Sequence, residues 1–403
     1  MRSTWSLAST TAAAFDNRAP PARMRAVSDD YVIDAFGARW SLEAGDLDPA
    51  ERDRLHVLWE ACRVPGARSD DDGVEPFEVR HADPYAVSRA ITLASIKRRM
   101  GEAVLLHAAG FSDGDGDGDG ENTRAIAFVG PSGTGKSTAA RTLGQHFGYL
   151  SDETVAIESD DRISPYPKPV STIVDPGARW EKEEHSPTEL GLREAGGTAY
   201  LHAVVVLDRD PRHEVPELTE LPLVDAVLAV TKESSSLPLL ERPMQRIAQV
   251  VSAGGGPYVL RYSEIGECVD LVRSLFDREG GATSERAEWA TTEGTTGAPP
   301  PSPGSSEFGA DPLDAAMVVE RAPWRDALHG EGGSIVLIGS DLLRLGPVGE
   351  VVWQQAADPV RVGEVRAAVV EALGDHPDAT RIVDDGIRSM VESGVLRVTS
   401  PHG

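Results

Sequence analysis

The sequence holds little that would tie it to an oxidising compartment, a bilayer or a nucleic acid. Only two cysteines, Cys62 and Cys268, occur in 403 residues. Two thiols cannot build a disulfide framework or a four-thiolate metal site, so the expected setting is a reducing cytoplasm. No apolar run approaches the ~18–20 residues that span a membrane, and runs such as Ala203–Leu207 are strand-sized. The first residues carry one early charge, Arg2, with no signal-peptide core after it. Basic residues are also scarce, with 39 Lys and Arg against 65 Asp and Glu and a net charge of −26. A protein that coats nucleic acid needs the opposite sign to displace counterions. Neither nucleic acid nor membrane is therefore an expected partner.

The length fits two or three domains at ~150 residues each. Residues 1–27 are rich in Ala, Ser, Thr, Arg and Pro without periodicity and read as a flexible tail. Residues 28–99 alternate short apolar runs with charged turns, an α+β region that closes on a helix expected over 84–100. The next unit, 100–278, mixes strand-like runs with a helix. Val104–Leu106 and Ala125–Val129 read as two strands joined by the acidic stretch 113–120, and Ala139, Ala140, Leu143 and Phe147 mark one helix face. Further strand-like runs are Thr154–Ile157 and Ala203–Leu207. Such alternation indicates α/β layering. Residues 279–312, with Pro299, Pro300, Pro301 and Pro303, hold almost no large apolar side chains and read as a disordered linker. Its mean span of roughly 30 Å would let two domains move independently. In 313–403, Ile335–Ile338 and Leu342–Leu345 flank a hairpin turn. Three helices are expected after it, starting at Val348, running over Val362–Leu373, and carrying Val383, Ile387 and Met390. Gly394 and the run Val395–Val398 close this winged-helix-like unit.

One motif carries chemistry. Gly130, Pro131, Ser132, Gly133, Thr134, Gly135, Lys136 and Ser137 satisfy G-x-x-x-x-G-K-[ST], with Thr138 next, between an expected strand and an expected helix. In such a loop backbone N–H groups turn around the phosphates of a nucleotide such as ATP. Lys136 would reach the β- and γ-phosphates, Ser137 would hold Mg²⁺, and the helix adds its positive end. A second group must position metal or take a proton. Asp208 ends a strand-like run in the manner of a Walker B carboxylate. The adjacent pair Asp152 and Glu153 lies just after the helix, and there one acid could take up a proton while the other, Asp152, binds Mg²⁺.

His107 in Leu-Leu-His-Ala-Ala, the strand after it, the loop, its helix and Gly-Tyr-Leu-Ser-Asp-Glu together resemble the core of HPr serine kinase/phosphorylase and its shorter relatives, over roughly residues 100–210. The segment Pro165–Pro169 is also similar to the stretch just beyond the acidic pair in the short relatives. The resemblance implies an α/β fold, a P-loop kinase domain of the HPr kinase/PEP carboxykinase-like type, with the small winged-helix-like domain after it. It makes His107 an active-site imidazole, Asp152 or Glu153 the base for a Ser or Thr hydroxyl, and Lys168 a phosphate-facing cation. The family's pair is Asp-Asp, whereas Glu153 stands second here, and no E-x-R-G signature occurs downstream. Phosphorylase activity and HPr itself as substrate are thus not implied. The last ninety residues resemble PqqD, the module that presents precursor peptides to modifying enzymes, on Leu342–Trp353, the two helices after it and Met390–Leu396. That resemblance implies a partner peptide or protein, such as the leader of a ribosomally made precursor, bound by strand addition. Oligomerisation stays open, as do a non-catalytic ATP-binding scaffold and a small-molecule kinase or ATPase working through Asp208.

The alternating Asp-Gly stretch from Asp113 fails as an EF-hand, because its twelfth position is Arg124, or Ile126 from Asp115. His185 and His202, with Glu181, Glu183 and Glu184, lack zinc-ligand spacing and read as an exposed charged loop.

Overall fold

The computed structural model describes residues 31–80, 82–114, 122–175, 178–278, 290–294 and 311–399. The tail 1–27 and most of the acidic stretch lie outside these residues. The chain is a mixed α/β protein. Its first part contains β1 (Val32–Ala35), β2 (Ala38–Glu43), α1 (Pro49–Trp59), β3 (Val74–Glu78) and α2 (Pro84–Arg99). The three strands make one small sheet. Asp48 and Glu51 form a reciprocal capping box at the start of α1, and Asp83 caps α2. Those caps follow from sequence chemistry alone.

The central part runs β4 (Val104–Leu106), β5 (Ala108–Ser112), β6 (Asn122–Val129), α3 (Lys136–Leu143), β7 (Gly148–Ser151), β8 (Val155–Ile157), β9 (Ile163–Ser164), β10 (Val170–Asp175), β11 (Ala178–His185), β12 (Arg193–Glu194), β13 (Thr198–Arg209), β14 (Glu217–Glu220), α4 (Leu223–Lys232), α5 (Pro243–Val251), β15 (Tyr258–Tyr262) and α6 (Val269–Phe276). Seven strands form the main sheet in the order β12-β7-β5-β6-β13-β15-β14. β6, β13 and β15 run parallel, while β5 is antiparallel to both β6 and β7. Side chains alternate across this sheet with period two. Ile126, Phe128, Ala203, Val205 and Leu207 face α3 and α6, whereas Ala125, Ala127, Val129 and Val204 face α4 and α5. Both faces are covered, so the central strands read as continuous apolar runs.

Three readings are corrected. The hairpin partner of β6 is β5, not Val104–Leu106, which joins β8 and β9 in another sheet. The Ala-Ala-Gly start of β5 carries weak strand propensity. It is buried throughout, and a Cβ on Gly110 would lie 2.9 Å from Val155, so close packing selects the small residue. Secondly, His202 is not in an exposed loop: it is buried at a register shift in β13, and its Nε2 is 3.0 Å from the Leu275 carbonyl. Burial holds its imidazole below the usual range. Likewise His185 ends β11, the strand that buries Glu184.

Thirdly, part of the expected linker is a strand. β16 (Ala290–Glu293) pairs antiparallel with β18 (Asp326–Gly330). The remaining elements are β17 (Val318–Arg321), β19 (Gly333–Ile338), β20 (Asp341–Leu345), α7 (Pro347–Gln355), β21 (Val360–Arg361), α8 (Val362–Leu373), α9 (Ala379–Glu392) and β22 (Leu396–Thr399). Nor is this part independent of the rest. Leu328, Ile335 and Leu337 share one core with α4 and α5. Asp326 accepts from the Met244 N–H at 2.8 Å, capping α5 from another sheet, and Arg344 pairs with Asp225 at 2.6 Å. On α8, Arg366 is paired with buried Asp384 of α9 at 2.8 Å, so this charge is structural. Among the described residues no helix is long and apolar enough to cross a membrane.

Candidate active site

The site gathers at one edge of the main sheet, where the C-terminal ends of β6 and β7 meet the N-terminal start of β5. Ala108 pairs with Val129, so the next positions across are His107 and Gly130. On the other side of β5, the Ala108 N–H donates to the Glu153 carbonyl at 3.2 Å. Neighbouring strands lie ~4.8 Å apart. The sheet thus sets His107 between the glycine-rich loop and the acidic pair.

Gly133 and Gly135 have φ of +92° and +97°, a left-handed backbone that glycine adopts without steric cost. Gly135 is the N-cap of α3 and offers no side chain to its first N–H groups, which is what an anion-binding helix start requires. Thr134 donates its hydroxyl to the Pro131 carbonyl at 2.8 Å, and buried Tyr262, at the end of β15, donates to the Thr134 carbonyl at 2.6 Å. Burial pushes the Tyr262 phenol up to about 12. Gly130, Pro131, Ser132 and Thr138 complete the loop and first turn, and Ser137 and Thr138 are exposed there. Lys136 is buried, bonded to the Gly130 carbonyl, 3.4 Å from the Pro131 carbonyl and 3.9 Å from Glu233 Oε2. Burial lowers its pKa and Glu233 opposes that shift.

The His107 main-chain N–H donates to the Glu233 carbonyl at 2.7 Å, and its Nδ1 lies 3.0 Å from the Glu153 carbonyl. A carbonyl only accepts, so Nδ1 carries the proton and Nε2 holds the lone pair in the neutral ring. The two acids point differently. Asp152 is 5% exposed in its side chain and accepts from Tyr149 at 3.1 Å, whereas the Glu153 side chain is 37% exposed. Lys168 lies between them, 3.2 Å from Asp152 Oδ1 and 3.1 Å from Glu153 Oε2, and donates to the Pro169 carbonyl at 2.9 Å. It is delivered by the Pro165–Pro169 segment, which the Tyr166 N–H fastens to the Leu150 carbonyl at 2.8 Å. Burial alone would push Lys168 down, but the two carboxylates overcome it and hold the ammonium well above the usual lysine range.

Lys168 thus stands at ion-pair distance from both acids and donates its hydrogen bond to the Pro169 carbonyl. The residue expected as a phosphate-facing cation is paired with the two acids. Asp208 stands at the end of β13, its side chain 49% exposed and 3.7 Å from both His213 and Arg261. Sequence reasoning missed four participants: Tyr149, Glu184, Glu233 and Tyr262. Buried Glu184 accepts from Ser171 and, at 3.3 Å, from Ser88, and burial raises its carboxyl against the pull of Lys168. Only Tyr149 had a local signal, three residues before Asp152; the others come from distant segments.

Among the described residues no three His, Cys, Asp or Glu side chains gather as a metal cage. Mg²⁺ at a phosphate site takes one or two protein ligands, the rest being phosphate oxygens and water. Ser137, exposed on the first turn of α3, and Glu153, the more exposed of the two acids, are residue types such a site draws on. No family model matches the chain, and no curated protein matches it.

Proposed function

We propose that the protein is an ATP-dependent kinase of the HPr-kinase-like type that phosphorylates a Ser or Thr hydroxyl of a peptide or protein. One observation carries this reading: a P-loop, an imidazole and an acidic pair occupy three adjacent strand ends at one sheet edge. A nucleotide-holding scaffold needs the first of these and has no use for the other two.

In this reading Gly130–Ser137 binds the triphosphate through backbone N–H groups and Lys136, with α3 adding its N-terminal field. Ser137 with Asp152 or Glu153 are the residues that would hold Mg²⁺, which when bound would supply positive charge against the phosphates. Glu153 is the acid an acceptor can reach, and it draws the hydroxyl proton. The acceptor oxygen then bonds to the γ-phosphorus as the bond to the ADP oxygen breaks, and ADP leaves. Asp152 acts through Lys168, which fixes where the Glu153 carboxylate sits. The C-terminal part, similar to PqqD, supplies edge strands such as β22 to an extended leader peptide. Tethering would raise the acceptor's concentration at the site to roughly the mM range.

The test is incubation of the full chain and Mg-ATP with ribosomally made precursor peptides, read as an intact-mass gain of one phosphate. Glu153→Gln and Asp152→Asn should abolish transfer in a single turnover while ATP still binds. Asp208→Asn should be mild. Loss of turnover in the Asp208 variant alone would favour an ATPase or small-molecule kinase instead.

A further inference from the structure

Glu233 lies directly after α4, far along the chain from the P-loop, and no motif picks it out. It nevertheless touches both halves of the site. Its main-chain carbonyl accepts the His107 N–H at 2.7 Å, and its carboxylate stands 3.9 Å from the Lys136 ammonium. Both side chains are largely withdrawn from water, at 7% exposure for Lys136 and 14% for Glu233. A charge pair at that depth is screened far less than one on the surface. The ammonium donates to the Gly130 and Pro131 carbonyls, and this carboxylate stands beside it at ion-pair distance. An incoming triphosphate must therefore take the lysine over from a group of its own sign.

We infer that Glu233 is a positioning residue that parks Lys136 against the loop and competes with nucleotide phosphate for it. The inference rests on the proposed nucleotide binding, but needs neither phosphoryl transfer nor any particular acceptor. The carboxylate and the phosphates share one cation, and like charges at this range repel appreciably where the effective dielectric is reduced. The loop is thereby held in order before nucleotide arrives, at the expense of affinity. The main-chain carbonyl, which any side chain leaves in place, keeps His107 in register meanwhile.

The experiment is calorimetric titration of ATP into the full-length wild type, Glu233→Gln, Glu233→Ala and Glu233→Asp, with melting curves to verify folding. The two neutral variants should bind ATP roughly three- to tenfold more tightly, and the Asp variant should stay within about twofold of wild type. A residue that merely supported the fold would weaken binding when replaced, so the sign of the change discriminates. Unchanged or weaker binding in both neutral variants overturns the role of Glu233 while leaving the P-loop reading intact. Failure of the wild type to bind ATP at all overturns both.

Discussion

Lys168 is a buried cation whose worth depends wholly on its partners. Removing it leaves Asp152 buried with Tyr149 as its one side-chain donor among the described residues, and takes a counter-ion from Glu153. Stripping one partner from a buried pair costs ~3–5 kcal/mol, because the remaining charge is uncompensated. Lys168→Met should therefore lower the unfolding free energy by about that amount in urea titrations and abolish transfer by freeing Glu153. The pH dependence has a definite sign. The folded state holds the Lys168 proton more tightly than the unfolded chain does, so its stabilisation is complete below the ordinary lysine value of 10.5 and is lost as pH rises beyond it. The gap in stability between wild type and Lys168→Met should stay level from about pH 8 to 10 and narrow above that. A gap that closes already near neutrality would contradict a charged, braced lysine.

Elements with a strong local code form where their sequence says. The helix expected over 84–100 is α2, the hairpin turn before Leu342 joins β19 to β20, and of the expected apolar stripe Val362, Val365, Val369 and Leu373 the first three are the buried face of α8 while Leu373 at its end is exposed. Elements whose code lies elsewhere do not announce themselves. β5 opens with Ala-Ala-Gly and is a strand because β6, β7 and Val155 close around it. β16 reads Ala-Thr-Thr-Glu in a polar stretch and is a strand because β18 offers it a free edge. α5 begins after Arg242 with no cap of its own, and Asp326 of β18 supplies one to Met244 from across the core. Loss of such a cap costs ~1–2 kcal/mol. Asp326→Ala should lower the melting temperature accordingly, and Asp326→Asn should stay close to the wild type, since Asn also caps. Equal damage from both substitutions would point away from capping.

At the scale of the whole molecule the parts are joined by shared cores. Ala103, Leu105, Ala156 and Tyr166 pack with Trp59, Ile33 and Ile91, tying the first small sheet to the strands around the site. Leu328, Ile335 and Leu337 do the same between the last part of the chain and helices α4 and α5. A chain ending at residue 278 would expose that apolar face, so it should melt well below the full-length protein and bind a hydrophobic dye. An unchanged melting temperature would restore the picture of two freely tethered domains. The sequence by itself determined the glycine-rich loop, its lysine and serine, the acidic pair and the helices with clear periodicity, because each is written in residues adjacent or one turn apart. Only the tertiary structure decided that Lys168 pairs with both acids, that Glu233 and Tyr262 reach the loop, and that part of the expected linker is a strand. Those outcomes depend on contacts between segments remote in the chain, where burial, edge pairing and a limited supply of hydrogen-bond donors choose among placements that local pattern leaves equal.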